Sequence, residues 1–191
     1  WKANGGSTTT NDASATSVGS IDSVYQANTT AGFSIVTYTG TGSTATVAHG
    51  LGGVPDMLIF KKRSTTDNWY VFHTSITNDY YMVFDNGDAK NNDVNIWNDT
   101  DPTSTVFSIA NAGVHADTTT MVCYAFRSIQ GYSKFGNYTG NGNADGPFIY
   151  TGFKPAWLLY KNTGSVSNEQ QVEEQIQMEQ FYYPMRLMLK V

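Results

Sequence analysis

Glutamate is missing from the first 168 residues of this 191-residue chain, and all four Glu fall between Glu169 and Glu179. Charge of either sign is thin, with 14% of residues charged against roughly one quarter in ordinary globular domains. The 11 Lys and Arg form no run longer than the three residues Lys61-Lys62-Arg63, which argues against a nucleic-acid partner, because phosphate contacts need clustered cations. A single cysteine, Cys123, leaves no internal disulfide framework and no Cys-based zinc site. No apolar stretch approaches the ~18 residues of a membrane helix, so no membrane partner is expected. The chain opens WKANGGSTTT, with neither Met nor the apolar segment of a signal peptide, and reads as a partial chain.

What is present is Thr, Ser, Asn and Gly, with 14% aromatics. Thr and aromatic rings fit a pleated, half-buried surface, while Gly and Asn accept tight turns. The composition therefore predicts an all-β protein.

The order of residues adds a repeat. YTGTG at Tyr38–Gly42 returns as YTGNG at Tyr138–Gly142, and the two stretches align from there without a gap. Gly52 answers Gly152, Pro55 answers Pro155, Leu58 answers Leu158 and Lys61 answers Lys161. Apolar alternation at Phe33, Ile35 (or Val36) and Tyr38 predicts a strand ended by the Gly40/Gly42 turn. A Gly-rich loop then leads to Pro55, and Met57–Phe60 begins a second strand, where a leading Pro costs least. Both strands of this hairpin-like unit recur in the second copy, within a module of about one hundred residues, longer than solenoid repeats. Further strands are expected at Trp69–Thr74, Tyr80–Asp85, Val94–Trp97, Thr105–Ala110 and Met121–Phe126, separated by turns such as Asp85–Asp88 and Asn111–Gly113. Short strands so spaced predict a β-sandwich of jelly-roll or lectin-like type, tandemly repeated.

Four segments follow. Residues 1–31 read as the end of a preceding module, Trp1-Lys2 resembling Phe126-Arg127, plus a Ser/Thr/Gly/Asn-rich linker. Residues 32–130 read as a complete module and 131–168 as the incomplete start of a second copy. Residues 169–191 are a compositionally distinct tail. Where the repeat calls for Trp after Asn168, the chain gives Glu169, and five of its seven Gln follow within Gln170–Gln180. SNEQ at Ser167–Gln170 is a capping-box pattern, with Val172 and Ile176 on one helix face. A short helical or disordered tail and an out-of-frame or chimeric ending both fit.

Catalytic signals are weak. His49, His73 and His115 lie far apart, with no partner at metal-ligand spacing. His49 is expected to hydrogen-bond a loop carbonyl. Cys123 sits in an apolar strand without a basic neighbour and reads as a buried small hydrophobe. The stretch from Asp85 to Asp101 holds five Asp, whose oxygens suit Ca²⁺, but the EF-hand spacing is missing and Asp serves turns anyway. Of the aromatics, Trp97 beside Asp99 and Asp101, together with Trp69 and Tyr81, are the candidate platform for sugar rings. No catalytic residue and no cofactor is assigned.

The blocks WKANGG, GFSIVTYTG, VAHGLGGVPDMLIFKKRS, PTSTVFS and FGNYTGNGNADGPFIYTGFKPAWLLYK together resemble a domain of uncharacterised function that recurs in virion structural proteins of tailed bacteriophages, especially marine ones. The resemblance covers most of Trp1–Gly164 and ends near Asn168. HGLGGVP also resembles loops of phage tail β-domains. The resemblance implies a non-enzymatic particle component, associated with a tail or fibre, located in the virion or outside the cell. Its partners would be other virion proteins or copies of itself, as in a trimer covering exposed strand edges, and host surface polysaccharide. The alternatives are a carbohydrate-binding module of a secreted microbial protein and a glycosidase or depolymerase, the latter needing paired carboxylates across a cleft.

Overall fold

The computed structural model describes residues 1–3, 5, 7–110, 114–143, 145–166, 170–173 and 186–187. The chain is all-β, with one large antiparallel sheet and almost no helix. Strands β1 (Thr9–Asn11), β2 (Ser23–Asn28) and β3 (Phe33–Thr39) are followed by β4 (Ala45–Ala48), β5 (Met57–Lys62), β6 (Tyr70–His73) and β7 (Tyr80–Val83). After them come β8 (Asn91–Asn92), β9 (Val106–Ile109) and β10 (Thr120–Phe126). Eight of these form one sheet in the order β1-β2-β3-β10-β5-β6-β7-β8, while β4 and β9 pair as a separate two-stranded layer. One four-residue helix, α1 (Ala13–Thr16), is capped by the Asp12 carboxylate, which accepts from the Ser14 and Ala15 N–H groups. No described helix is long and apolar enough to cross a membrane.

The expected strands at Phe33–Thr39 and from Met57 onward are present, but they are not each other's neighbours. β10 lies between them, pairing Tyr124 with Ile35 on one side and with Ile59 on the other. The hairpin-like reading is thus corrected: the 40–56 connection carries β4, and the gap it spans is filled by a strand from some 60 residues downstream. Such non-local pairing leaves no local signal.

The segment before Gly32, read as a linker, supplies β1 and β2. Its strand pattern is weak because β2 is mostly half-buried, with Ser23 alone fully buried. Val94–Trp97, read as a strand, is instead part of a turn. The Ile96 N–H meets the Asp93 carbonyl, the Asp99 N–H meets the Val94 carbonyl, and Asn98 and Asp99 take positive φ of 55° and 46°.

Alternation along the sheet sorts its side chains into two cores. On one face Val36, Tyr38, Leu58, Phe60, Phe72, Met121, Cys123 and Ala125 meet Val47, Phe107 and Ile109 of the β4/β9 layer, together with Ile96 and Trp97. On the other face Phe33, Met57, Val71, Met82 and Phe126 pack with Trp1, Ala3, Phe135, Trp157 and Leu159. Each fully buried aliphatic or aromatic side chain contributes roughly 1.5–3 kcal/mol by leaving water, so a sheet covered on both faces has an ample core.

The second face is closed by residues on either side of the main sheet. Trp1 lies edge-on to Phe126 at 4.9 Å between ring centroids, stacked on Phe135 at 6.2 Å and edge-on to Trp157 at 6.5 Å. Trp157 and Leu159 belong to β12 (Trp157–Tyr160), which follows the two-residue β11 (Asn137–Tyr138). β12 pairs with β13 (Gln170–Glu173), and β11 pairs with β14 (Arg186–Leu187).

The tail reading is corrected where the chain is described, because Gln170–Glu173 is a strand and not the first turn of a helix. A single i,i+4 apolar pair adds only about 0.2–0.5 kcal/mol to a helix, whereas pairing with β12 satisfies backbone groups along both strands. The capping residues Ser167–Glu169 and the Asn111–Gly113 turn lie outside the described residues.

Candidate functional site

Of the residues expected to hold sugar, Trp97 is only 2% exposed. Its ring lies 5.0 Å from Phe60 and 6.0 Å from Phe72, and its indole N–H donates to the Tyr80 carbonyl at 3.0 Å. The turn that replaces the expected strand rotates Ile96 and Trp97 inward, so the ring serves the core and not a ligand. Tyr81 is half-buried on the same face, 5.6 Å from Tyr70. Trp69 stacks on Tyr124, which packs against the opposite core, and the Lys61 ammonium sits 5.3 Å from its ring centroid. Asp99 and Asp101 are exposed. The five residues are therefore divided between two faces and a loop, and they form no common platform.

Asp101 does border a hollow of about 290 Å³, lined also by Val54, Phe72, Thr74, Thr77 and Pro102. It offers one carboxylate and two hydroxyls over an apolar floor. Three other aspartates of the Asp85–Asp101 stretch act as hydrogen-bond acceptors. Asp85 accepts the Trp69 N–H, Asp88 the Asn86 amide and Asp93 the Asn95 N–H. Among the described residues no three His, Cys, Asp or Glu side chains are grouped to hold a metal ion.

All three histidines are fully buried. His49 accepts the Leu51 N–H at Nδ1, which leaves Nε2 protonated to donate to the Thr103 carbonyl at 3.2 Å. The expected bond to a loop carbonyl is present. Burial lowers its pKa to about 4. His115 shares a 2.9 Å hydrogen bond with the Tyr38 hydroxyl, and burial, aided by the nearby Lys62 charge, lowers it to about 3. His73 caps the short 3₁₀ turn Thr74–Ile76 through Nδ1 and is lowered to about 3 by burial alone. Each imidazole is thus neutral at physiological pH and enclosed by protein. The Cys123 thiol lies in the core, its pKa pushed well above the usual value by desolvation, so it carries no thiolate for nucleophilic attack.

The aromatic rings that stand most open to solvent are ones the sequence reading passed over. Phe148 is 89% exposed and Tyr150 73%. The Lys134 ammonium donates to the Tyr150 carbonyl at 3.0 Å and lies 5.9 Å from the Tyr150 ring centroid. A signal for them exists in the repeat: their counterparts in the first copy are Ala48 and Gly50. Large rings stand where the first copy needs the smallest side chains.

Residues 1–175 match the family model for a domain of unknown function, DUF7483. The chain belongs to this family. No curated protein and no solved structure matches it. The DUF7483 match runs without a break from Trp1 through the main sheet and onto β12 and β13, so the aromatic joint around Trp1, Phe126, Phe135 and Trp157 lies wholly within the family's extent.

Proposed function

We propose that this DUF7483 chain is a non-enzymatic structural module of a tailed-bacteriophage virion, in a tail or fibre-type protein, where β-units follow one another and pack face to face. The observation that carries the reading is a repeated strand register. β5 and β6 pair Met57 with His73 and Phe60 with Tyr70, and β12 and β13 pair Trp157 with Glu173 and Tyr160 with Gln170. Every position is shifted by the same 100 residues. The β3–β10 pairing of Thr37 with Val122 and Tyr38 with Met121 is answered by Asn137 with Leu187 and Tyr138 with Arg186. β14 also passes near β12, without the ladder that joins β10 to β5. The pairs β3–β10 and β5–β6 are thus answered by β11–β14 and β12–β13.

On this reading the chain after Gln130 is a reduced copy of the first unit. The connection from β6 to β10 spans residues 74–119, and its counterpart spans only 174–185. Glycine conformations agree with the correspondence: φ is 66° at Gly42 and 68° at Gly142, and 71° at Gly52 and 82° at Gly152. The likeness is weaker at β3, a seven-residue strand paired on both edges and answered only by the two-residue β11, and at β4, whose counterpart at residues 145–148 forms no strand. Side-chain polarity drawn from Thr, Ser and Asn in place of charge suits an assembly held outside the cell.

Mass spectrometry of purified particles tests the reading. Peptides of this chain at a fixed ratio to capsid protein are expected. Their absence from particles, with the chain found free in the culture medium, would instead favour a secreted carbohydrate-binding module.

A further inference from the structure

The first unit shows what covers the surface that Phe148 and Tyr150 leave open in the second. Above Ala48 and Gly50 lies β2. The Ser23 hydroxyl donates to the Ala48 carbonyl at 3.0 Å, and Ile21 bridges to Val47 in parallel. The Tyr25 ring lies so close to Gly50 that an added Cβ would come within 2.1 Å of it. β2 meanwhile pairs with β3 from Asn28 opposite Phe33 to Ser23 opposite Tyr38. Among the described residues the second unit has no such strand. Only Arg127–Gln130 separate β10 from Gly131, and among the described residues β11 pairs with β14 alone. The two exposed rings stand two residues apart, with the half-buried Ile149 between them.

Resting on the reading of residues 131–191 as a reduced copy, we propose that Phe148 and Tyr150, with the outer side of the Lys134–Asn137 segment, accept one extended strand from another polypeptide. The incoming segment would be of β2's type, neutral and at least six residues long, lying antiparallel to Lys134–Asn137 by strand addition. It would differ from β2 in one respect. In the first unit the ring is on the covering strand and the gap at Gly50. In the second the ring is Tyr150, so the gap must be on the covering strand. The partner therefore carries Gly or Ala where β2 carries Tyr25.

The test uses the whole chain, ¹⁵N-labelled, titrated with two synthetic peptides, IDSVYQAN (residues 21–28) and the same peptide with Tyr25→Gly. The Tyr25→Gly peptide is expected to shift the amides of residues 134–137 and 148–151, and to bind roughly tenfold or more tightly than the Tyr peptide. A Phe148→Ser/Tyr150→Ser double variant should weaken it by roughly tenfold or more. Both rings are exposed, so the variant keeps its core. Equal binding of the two peptides, binding undiminished in the double variant, or equal binding of a scrambled sequence would overturn the proposal. So would silence of both peptides at millimolar concentration, including the case where oligosaccharides or a second copy of the chain shift those amides instead. Failure here with the β12–β13 pairing intact would reject only the acceptor, whereas loss of that pairing would reject the reduced copy as well.

Discussion

His49, His73 and His115 are held at about 4, 3 and 3, well below the ordinary 6.5 of imidazole, because the folded chain encloses the neutral ring. The unfolded chain binds these protons near pH 6.5 and the folded chain does not. The stability they contribute is therefore fully present above pH 6.5 and is lost as pH falls toward 4 and then 3. Each contributes a slope that approaches about 1.4 kcal/mol per pH unit in the middle of its own window, and the three act in the same direction. Denaturant titrations at successive pH values should show a midpoint that declines steadily below pH 6. A midpoint flat from pH 7 to pH 4.5 would contradict the enclosed-imidazole account. Trp97→Ala, which empties the space between Phe60 and Phe72, should cost about 3–5 kcal/mol in the same assay while leaving any glycan affinity untouched. The sequence placed Trp97 in a polar neighbourhood, since its chain neighbours include Asn98, Asp99 and Asp101. It gave no sign that a turn closed by two left-handed residues would point the ring inward. Burial is decided by which way the backbone turns, and local polarity does not report it.

At the scale of the element, strands with strong alternation were readable. Phe33–Thr39 and Met121–Phe126 alternate, and Met57–Phe60 follows a Pro that suits a strand's first position. Two things were not readable. β10 enters between β3 and β5 from far along the chain, a pairing that no local pattern encodes. β2, SVYQAN, looks like linker because Ser, Gln and Asn are spread over both of its faces, yet it pairs with β3 and lies over Gly50. That glycine has φ of +64° and no room for a Cβ beneath the Tyr25 ring. Gly50→Ala should thus destabilise the chain by roughly 1–3 kcal/mol or more, combining backbone strain with overpacking. Hydrogen exchange in the variant should rise first in Ser23–Asn28. Faster exchange confined to β5 and β6 would show that the glycine serves some other contact.

At the scale of the molecule, the main sheet presents one face to the β4/β9 layer and the other to Trp1, Phe135, Trp157 and Leu159. Leu159 is only 6% exposed, inside the core shared with Met57 and Met82. Leu159→Ala should lower the melting temperature of the whole chain in a single calorimetric transition, at a cost of about 2–5 kcal/mol. An early separate transition with the main sheet unaffected would mean that the core is not shared. The repeat itself was legible in the sequence as far as Asn168. Beyond that residue composition changes, but pairing depends on backbone register, and on the proposed reading Gln170–Glu173 and Arg186–Leu187 still belong to the second unit. The most direct test is nuclear magnetic resonance of the intact chain, seeking Hα–Hα cross-peaks at alternate pairs of the β12–β13 ladder and between β11 and β14. The account expects Trp157–Glu173 through Tyr160–Gln170 to show the register of Met57–His73 through Phe60–Tyr70, and Asn137 to lie opposite Leu187. A different register, or helical chemical shifts at Gln170–Glu173, would contradict it.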